Sequence, residues 1–120
     1  MKIMLLAAEA PQDFALREQP DKFDGYMGAW YAFSEGLTNA GLLKDAAALQ
    51  PPSSATVVSV RNGVRKVEDG PFPDTKEQLG GFFIIEEEDV AKAAEWAKKC
   101  PAAKYGFVDV RVVPDYGQGE

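Results

Sequence analysis

The 120-residue sequence contains no histidine. That absence removes Ser-His-Asp and Cys-His catalysis, His-ligated haem, and every zinc site built with imidazole. A single cysteine, Cys100, excludes an intrachain disulfide and a C-x-x-C redox or metal motif. It precedes Pro101 at an expected helix end, where a small half-buried residue is the plainer reading and a reactive thiol the other. Basic residues are the minority, 13 Lys plus Arg against 19 Asp plus Glu, which leaves a formal net charge of −6. Nucleic-acid binding needs a concentrated basic face, and the densest group, Arg61, Arg65 and Lys66, only flanks a predicted hairpin. No partner nucleic acid is therefore expected. No run approaches the roughly 20 apolar residues of a membrane-spanning helix. The apolar stretch within Met1–Ala10 covers only about six residues, short of the roughly 7 to 15 of a signal-peptide core. A buried first strand and a cytoplasmic location are the expectation.

What is present is a 46% hydrophobic chain of the right length for one domain with a real core. The domain is expected over residues 1–113, with 114–120 as a tail. Lys2 to Ala8 is apolar on both faces, the pattern of a strand covered on both sides. Pro11 to Pro20 forms a polar connection. Tyr26, Trp30, Phe33, Leu37 and Ala40 then recur at helical spacing and predict one buried helix face, with Asp24 as N-cap and Gly41 as the stop. After Pro51-Pro52, two strand-like runs (56–61 and 64–68) flank Asn62-Gly63, a strong hairpin signal. Gly81 to Glu86 predicts a strand that is again apolar on both faces. Asp89 is the expected cap of a second helix reaching about Lys99, with Val90, Ala93, Ala94, Ala97 and Cys100 inward and Pro101 ending it. In the final strand, Phe107 to Val113, valines alternate with Asp109 and Arg111.

The order βαβββαβ predicts an α+β sandwich, a mostly antiparallel sheet with two helices on one face. Two helices cover one face only. The two-faced strands therefore predict a second subunit packed sheet against sheet as an isologous homodimer.

The segment specified beyond folding is Asp69-Gly70-Pro71-Phe72-Pro73-Asp74-Thr75-Lys76-Glu77-Gln78-Leu79-Gly80-Gly81. It is long for a loop in a compact domain, and its closing Gly pair allows close backbone approach. Read as a site, Asp69 or Glu77 is a general base of raised pKa, and Lys76 or Arg111 stabilises an enolate oxyanion. Phe72, Asp74 and Arg111 are the candidate substrate contacts. The plainer reading, weighted at least equally, makes this an ordered surface loop: Asp69 caps a turn, Phe72 plugs the sheet edge, Lys76 and Glu77 are a solvated pair, and Arg111 partners Asp109 or the loop. Glu86-Glu87-Glu88-Asp89 complements a helix dipole and lacks the spacing of a calcium loop. No phosphate-binding glycine motif occurs. No metal and no cofactor are expected.

The run Val67 to Phe82, with Asp69-Gly70-Pro71-Phe72 at its centre, resembles the signature of the YCII-related, or DGPF-domain, family. Lys2-Ile3-Met4-Leu5-Leu6, Leu49-Gln50-Pro51-Pro52, Glu95-Trp96-Ala97 and Val108-Asp109-Val110-Arg111 extend the resemblance over nearly the whole chain. The resemblance implies a ferredoxin-like fold dimerising as a dimeric α/β barrel. It implies no single activity: related enzymes include muconolactone-isomerase-like proteins, cofactor-free monooxygenases, haem-binding chlorite dismutases and dehydrochlorinases using a His-Asp pair. Without histidine, neither that pair nor a His-ligated haem carries over. Two functions follow as expectations. One is a cofactor-free enzyme acting on a small cyclic or carbonyl compound at the DGPF loop. The other is a non-catalytic dimeric ligand-binding or regulatory module, linked to an extracytoplasmic-function sigma factor as some family members are.

Overall fold

A computed structural model describes residues 1–69 and 77–116. Strand β1 (Lys2–Glu9) leads into a short helix α1 (Pro11–Phe14) and a 3-10 turn (Ala15–Glu18), then the long helix α2 (Pro20–Asn39). Strand β2 (Leu43–Ala48), the hairpin β3 (Thr56–Arg61) and β4 (Val64–Asp69), and strand β5 (Gln78–Glu86) follow. Helices α3 (Val90–Ala97) and α4 (Pro101–Tyr105) precede the last strand, β6 (Gly106–Val112).

Four strands form one sheet in the order β2-β5-β1-β6, and every neighbouring pair is antiparallel. β1 is central because it is apolar on both faces. Ile3, Leu5 and Ala7 point to the helices, where they meet Phe83, Ile85, Phe33 and Leu37 in the core. Ala93, Ala97 and Ala102 let α3 and α4 settle closely onto this layer. Each large side chain removed from water here contributes about 1.5–3 kcal/mol. On the other face Met4 lies opposite Ile84 and Leu6 opposite Phe82, and all four are only half-buried within the single chain. The sheet is open and the fold class is α+β, as the strand patterns predict.

The chain ends of the elements follow local chemistry. Asp89 caps α3, its Oδ1 accepting from the Lys92 amide at 2.8 Å. Gly41, at φ +74°, ends α2. The Gly41 amide bonds to the Thr38 carbonyl at 3.0 Å and the Leu42 amide to the Leu37 carbonyl at 3.1 Å, a Schellman closure. Asn62 (φ 52°) and Gly63 (φ 78°) make the hairpin turn, which needs positive φ at both positions. The valines of β6 face the helices opposite Ile3, Leu5 and Ala7, while Asp109 and Arg111 face away.

Several boundaries differ from the expectation. Asp24 is not the N-cap of α2: Pro20 occupies the first turn and Gln19 the cap, so Asp24 lies inside the helix. Pre-set φ at Pro20 starts the helix a turn earlier. Pro11 to Glu18 is helical rather than a plain connection, and Leu43–Ala48 adds a sixth strand at the sheet edge. Among the described residues the hairpin pairs only with itself, as a separate two-stranded sheet. Val90 is 44% exposed rather than inward, because α3 turns its Ala93 and Ala97 side to the core. Pro101 opens α4 rather than simply ending a helix. Ala40 is exposed, one residue past the end of α2.

Candidate functional site

At the carboxyl end of β1, three segments converge on a polar cluster. Glu9 is the buried charged residue among the described residues, 1% exposed at the end of a central strand. The Tyr26 hydroxyl, nearly two turns into α2, donates to Glu9 Oε1 at 2.5 Å. Arg17, from the 3-10 turn between α1 and α2, places its guanidinium 5.1 Å from the centre of the Phe14 ring and 5.9 Å from that of Tyr26. Its Nη1 donates to the Leu49 carbonyl at 2.6 Å, which ties the turn to the chain just beyond β2. Trp30, one helical turn from Tyr26, meets that ring edge-on at 6.4 Å and stacks on Phe83 at 6.2 Å.

Burial pushes the Glu9 carboxyl above its ordinary range, and the negative charge of Asp13 adds to this; the Tyr26 hydrogen bond and Arg17 pull it back. Tyr26 is pushed up to about 12, first by burial, then by its bond to Glu9 and the charge there. Both groups therefore give up their protons less readily than exposed groups of their kind do. Such shifts cluster at functional sites and also occur in structural networks.

Arg17 and Trp30 both line a cavity of about 190 Å3, between α2 and the β2–β5 edge of the sheet. Gly80 and Gly81 form part of its wall. A Cβ at Gly80 would stand 2.6 Å from a Phe14 ring carbon, and one at Gly81 would stand 2.7 Å from the Ala47 carbonyl oxygen. The close approach expected of this glycine pair is what the structure uses to bring β5, β2 and the Arg17 turn together. A larger cleft of about 340 Å3 adjoins it beyond Leu49, lined by Pro51, Pro52, Val57, Gln78 and Leu79. Among the described residues its lining carries no titratable group, whereas the smaller cavity is lined by Arg17 and Tyr31.

The residues singled out in the sequence are placed as follows. Asp69 is exposed at the end of β4, opposite Thr56. Glu77 is half-buried, directly before Gln78, whose register partner is Glu9. Arg111 is exposed on β6 and turned to Asp109, with Nη2 at 2.8 Å and Nε at 3.0 Å from Oδ2. β6 is the edge strand farthest from β2, so Arg111 is remote from the cavity within one chain. Phe72, Asp74 and Lys76 lie outside the described residues. Cys100 is buried, and burial raises its thiol to about 11. The acidic run is structural: Glu86 pairs with the chain's amino group, Glu88 with Lys92, and Asp89 caps α3. Among the described residues, no group of side chains is arranged to hold a metal ion, and no helix is long and apolar enough to cross a membrane.

A four-stranded antiparallel sheet in the order β2-β5-β1-β6 with its helices on one face defines a ferredoxin-like α+β protein. The match over residues 1–116 to the YCII-related domain makes the family specific, and the chain belongs to it. An uncharacterised protein of Rhizobium meliloti (strain 1021) is 36% identical over 91 residues, covering 74% of this chain and 73% of that protein. The fold is similar to that of a 5-chloro-2-hydroxyhydroquinone dehydrochlorinase from Burkholderia phenoliruptrix, solved with 2,5-dihydroxybenzoquinone. That likeness has a TM-score of 0.53 and 17% identity, over 95% of this chain and 94% of the other.

Proposed function

We propose that the protein is a homodimeric, cofactor-free enzyme acting on a small cyclic or carbonyl compound, with Glu9 and Tyr26 handling the proton and Arg17 stabilising a developing oxyanion. The observation that carries this reading is the buried Glu9 carboxyl bonded to Tyr26 behind an arginine that lines a cavity. A buried carboxylate of raised pKa is a stronger base than an exposed one, and a fixed guanidinium lowers the barrier to enolate formation. As a proton leaves a carbon beside a carbonyl, Tyr26 can take it while passing its own to Glu9. The negative charge then rests on the substrate oxygen, facing Arg17. This scheme uses no histidine. The DGPF segment is the second part of the reading, with Asp69, Lys76 and Glu77 as acid–base and oxyanion groups and Phe72, Asp74 and Arg111 as substrate contacts. The half-buried face of Met4, Leu6, Phe82 and Ile84 supports the dimer, because a second copy of the same face would cover it.

The fold likeness to a dehydrochlorinase supports a first probe, 5-chloro-2-hydroxyhydroquinone. Chloride release and loss of the probe's absorbance are followed with the wild-type protein, Glu9→Gln and Tyr26→Phe. Consumption by the wild type that both substitutions abolish is the expected result. Consumption unchanged in both variants overturns the proton role. Stabilisation of the fold by the probe without consumption overturns catalysis on it and leaves a binding module.

A further inference from the structure

Three buried side-chain polar atoms among the described residues have no hydrogen-bond partner: Glu9 Oε2, Arg17 Nε and Trp30 Nε1. They belong to one cluster. Buried donors are nearly always paired in a folded protein, so two orphaned N–H groups beside one cavity ask for an acceptor. Both donor side chains line the 190 Å3 cavity, with the two nitrogens themselves covered. Its size lies below the roughly 300–1,000 Å3 of sites for drug-sized ligands, so it suits a single ring. Its walls suit a flat one, since the Trp30 and Phe83 rings stack in parallel at an interplanar angle of 7° and the glycine pair presents bare backbone.

The geometry points to a single-ring oxyanion as the ligand of this cavity, a carboxylate or a phenolate-type oxygen received by Arg17 Nε and Trp30 Nε1. This deepens the proposed function and rests on the same site. A chain of net charge −6 repels anions at long range, so selection of an anion has to come from a local cation. Arg17 supplies it, and its position is fixed: Nη1 is committed to the Leu49 carbonyl and the guanidinium lies near the Phe14 and Tyr26 rings. That leaves Nε as the donor still to be satisfied. Trp30 adds a neutral donor and a stacking face, which together set orientation and favour an aromatic ring over a saturated one.

The test uses calorimetric titration of the whole chain with benzoate, its neutral isostere benzamide, cyclohexanecarboxylate and 4-nitrophenolate. The indole N–H resonances of Trp30 and Trp96 are followed in parallel by NMR. Benzoate or 4-nitrophenolate is expected to bind at least tenfold more tightly than benzamide, and the aromatic acid more tightly than the saturated one. The stronger of the two anions identifies the oxygen type. Only the Trp30 indole resonance should move. Arg17→Gln should cost the anions tenfold or more and leave benzamide unchanged, with Arg17→Lys intermediate. Equal binding of benzoate and benzamide, no binding of either anion at millimolar concentration, or a Trp30 resonance that stays still overturns the inference on the wild-type protein alone. Anion binding without turnover of the chlorinated hydroquinone supports the inference and overturns only the enzymatic reading. Turnover without anion preference does the reverse.

Discussion

The Tyr26 hydroxyl and the Glu9 carboxylate, 2.5 Å apart, join the end of the central strand to the first turns of the longest helix. Removing one partner is expected to cost more than altering both. Tyr26→Phe leaves a buried carboxyl with no donor and should destabilise the fold by about 1–3 kcal/mol in urea unfolding. Glu9→Gln keeps an acceptor for the phenol and should cost less. An equal or smaller loss in Tyr26→Phe would show that the pair does not hold these elements together.

The same carboxyl gives stability a definite pH slope. Its folded pKa is raised above the ordinary 4.5, so the folded state holds the proton where the unfolded chain releases it. The contribution is complete below about pH 4.5 and is lost as pH rises through the folded value. Glu9→Gln has no such proton. Unfolding free energies between pH 4 and 8 should therefore fall less steeply in Glu9→Gln than in the wild type, and parallel curves would refute the assignment.

Cys100 should behave as a protected thiol. With a pKa near 11, its thiolate fraction at pH 8 is on the order of a thousandth, against roughly a quarter for a free thiol of pKa about 8.5. Iodoacetamide labelling of the native protein should be slower than in urea by two orders of magnitude or more. Comparable rates would place the thiol at the surface.

Gly81 meets backbone rather than a flexible side chain, with the Ala47 carbonyl oxygen 2.7 Å from where a Cβ would sit. Gly81→Ala should push β2 from β5 and cost about 1–3 kcal/mol, the usual penalty of overpacking. It should also change the cavity that both strands line, so weaker benzoate binding should accompany the lower midpoint. A wild-type midpoint in urea would contradict the close approach.

The open sheet face bears on assembly. Light scattering after size exclusion should give twice the 13.0 kDa chain mass, and Leu6→Glu should return a monomer by placing a charge in the centre of the paired faces. A wild-type monomer at micromolar concentration would remove the dimer from the proposed function.

Much of the fold is legible because its signals are local. The Asn62-Gly63 turn, the Asp89 cap and the Gly41 stop each depend on a few adjacent residues, and two-faced apolar strands announce a central position. Leu43–Ala48 is different: Leu-Lys-Asp-Ala-Ala-Ala has little intrinsic strand preference, and only pairing with β5 makes it a strand. The site is the least legible part. Glu9 closes an apolar run, Arg17 lies in a polar connection, and Tyr26 begins what reads as a core stripe. No spacing links them, since only the fold brings the three segments to one point. The DGPF segment is conspicuous in the sequence, yet most of its residues lie outside the described ones.

The central place of β1 also dictates an order of folding. Its two sheet neighbours are β5 and β6, both supplied by the second half of the chain, with the Val113 amide closing back on the Lys2 carbonyl at 2.8 Å. Contacts this distant in sequence pay a large loop-closure entropy before they return any burial, and they slow folding. The β3–β4 hairpin, built on a tight turn, is free of that delay. On a ribosome, β1 gains its first sheet neighbour only when β5 has emerged and its second only with β6, so the apolar Met4–Ala8 segment stays unpaired while most of the domain is made. Truncation before Gly106 should therefore yield an aggregating chain with a native hairpin turn and no native core.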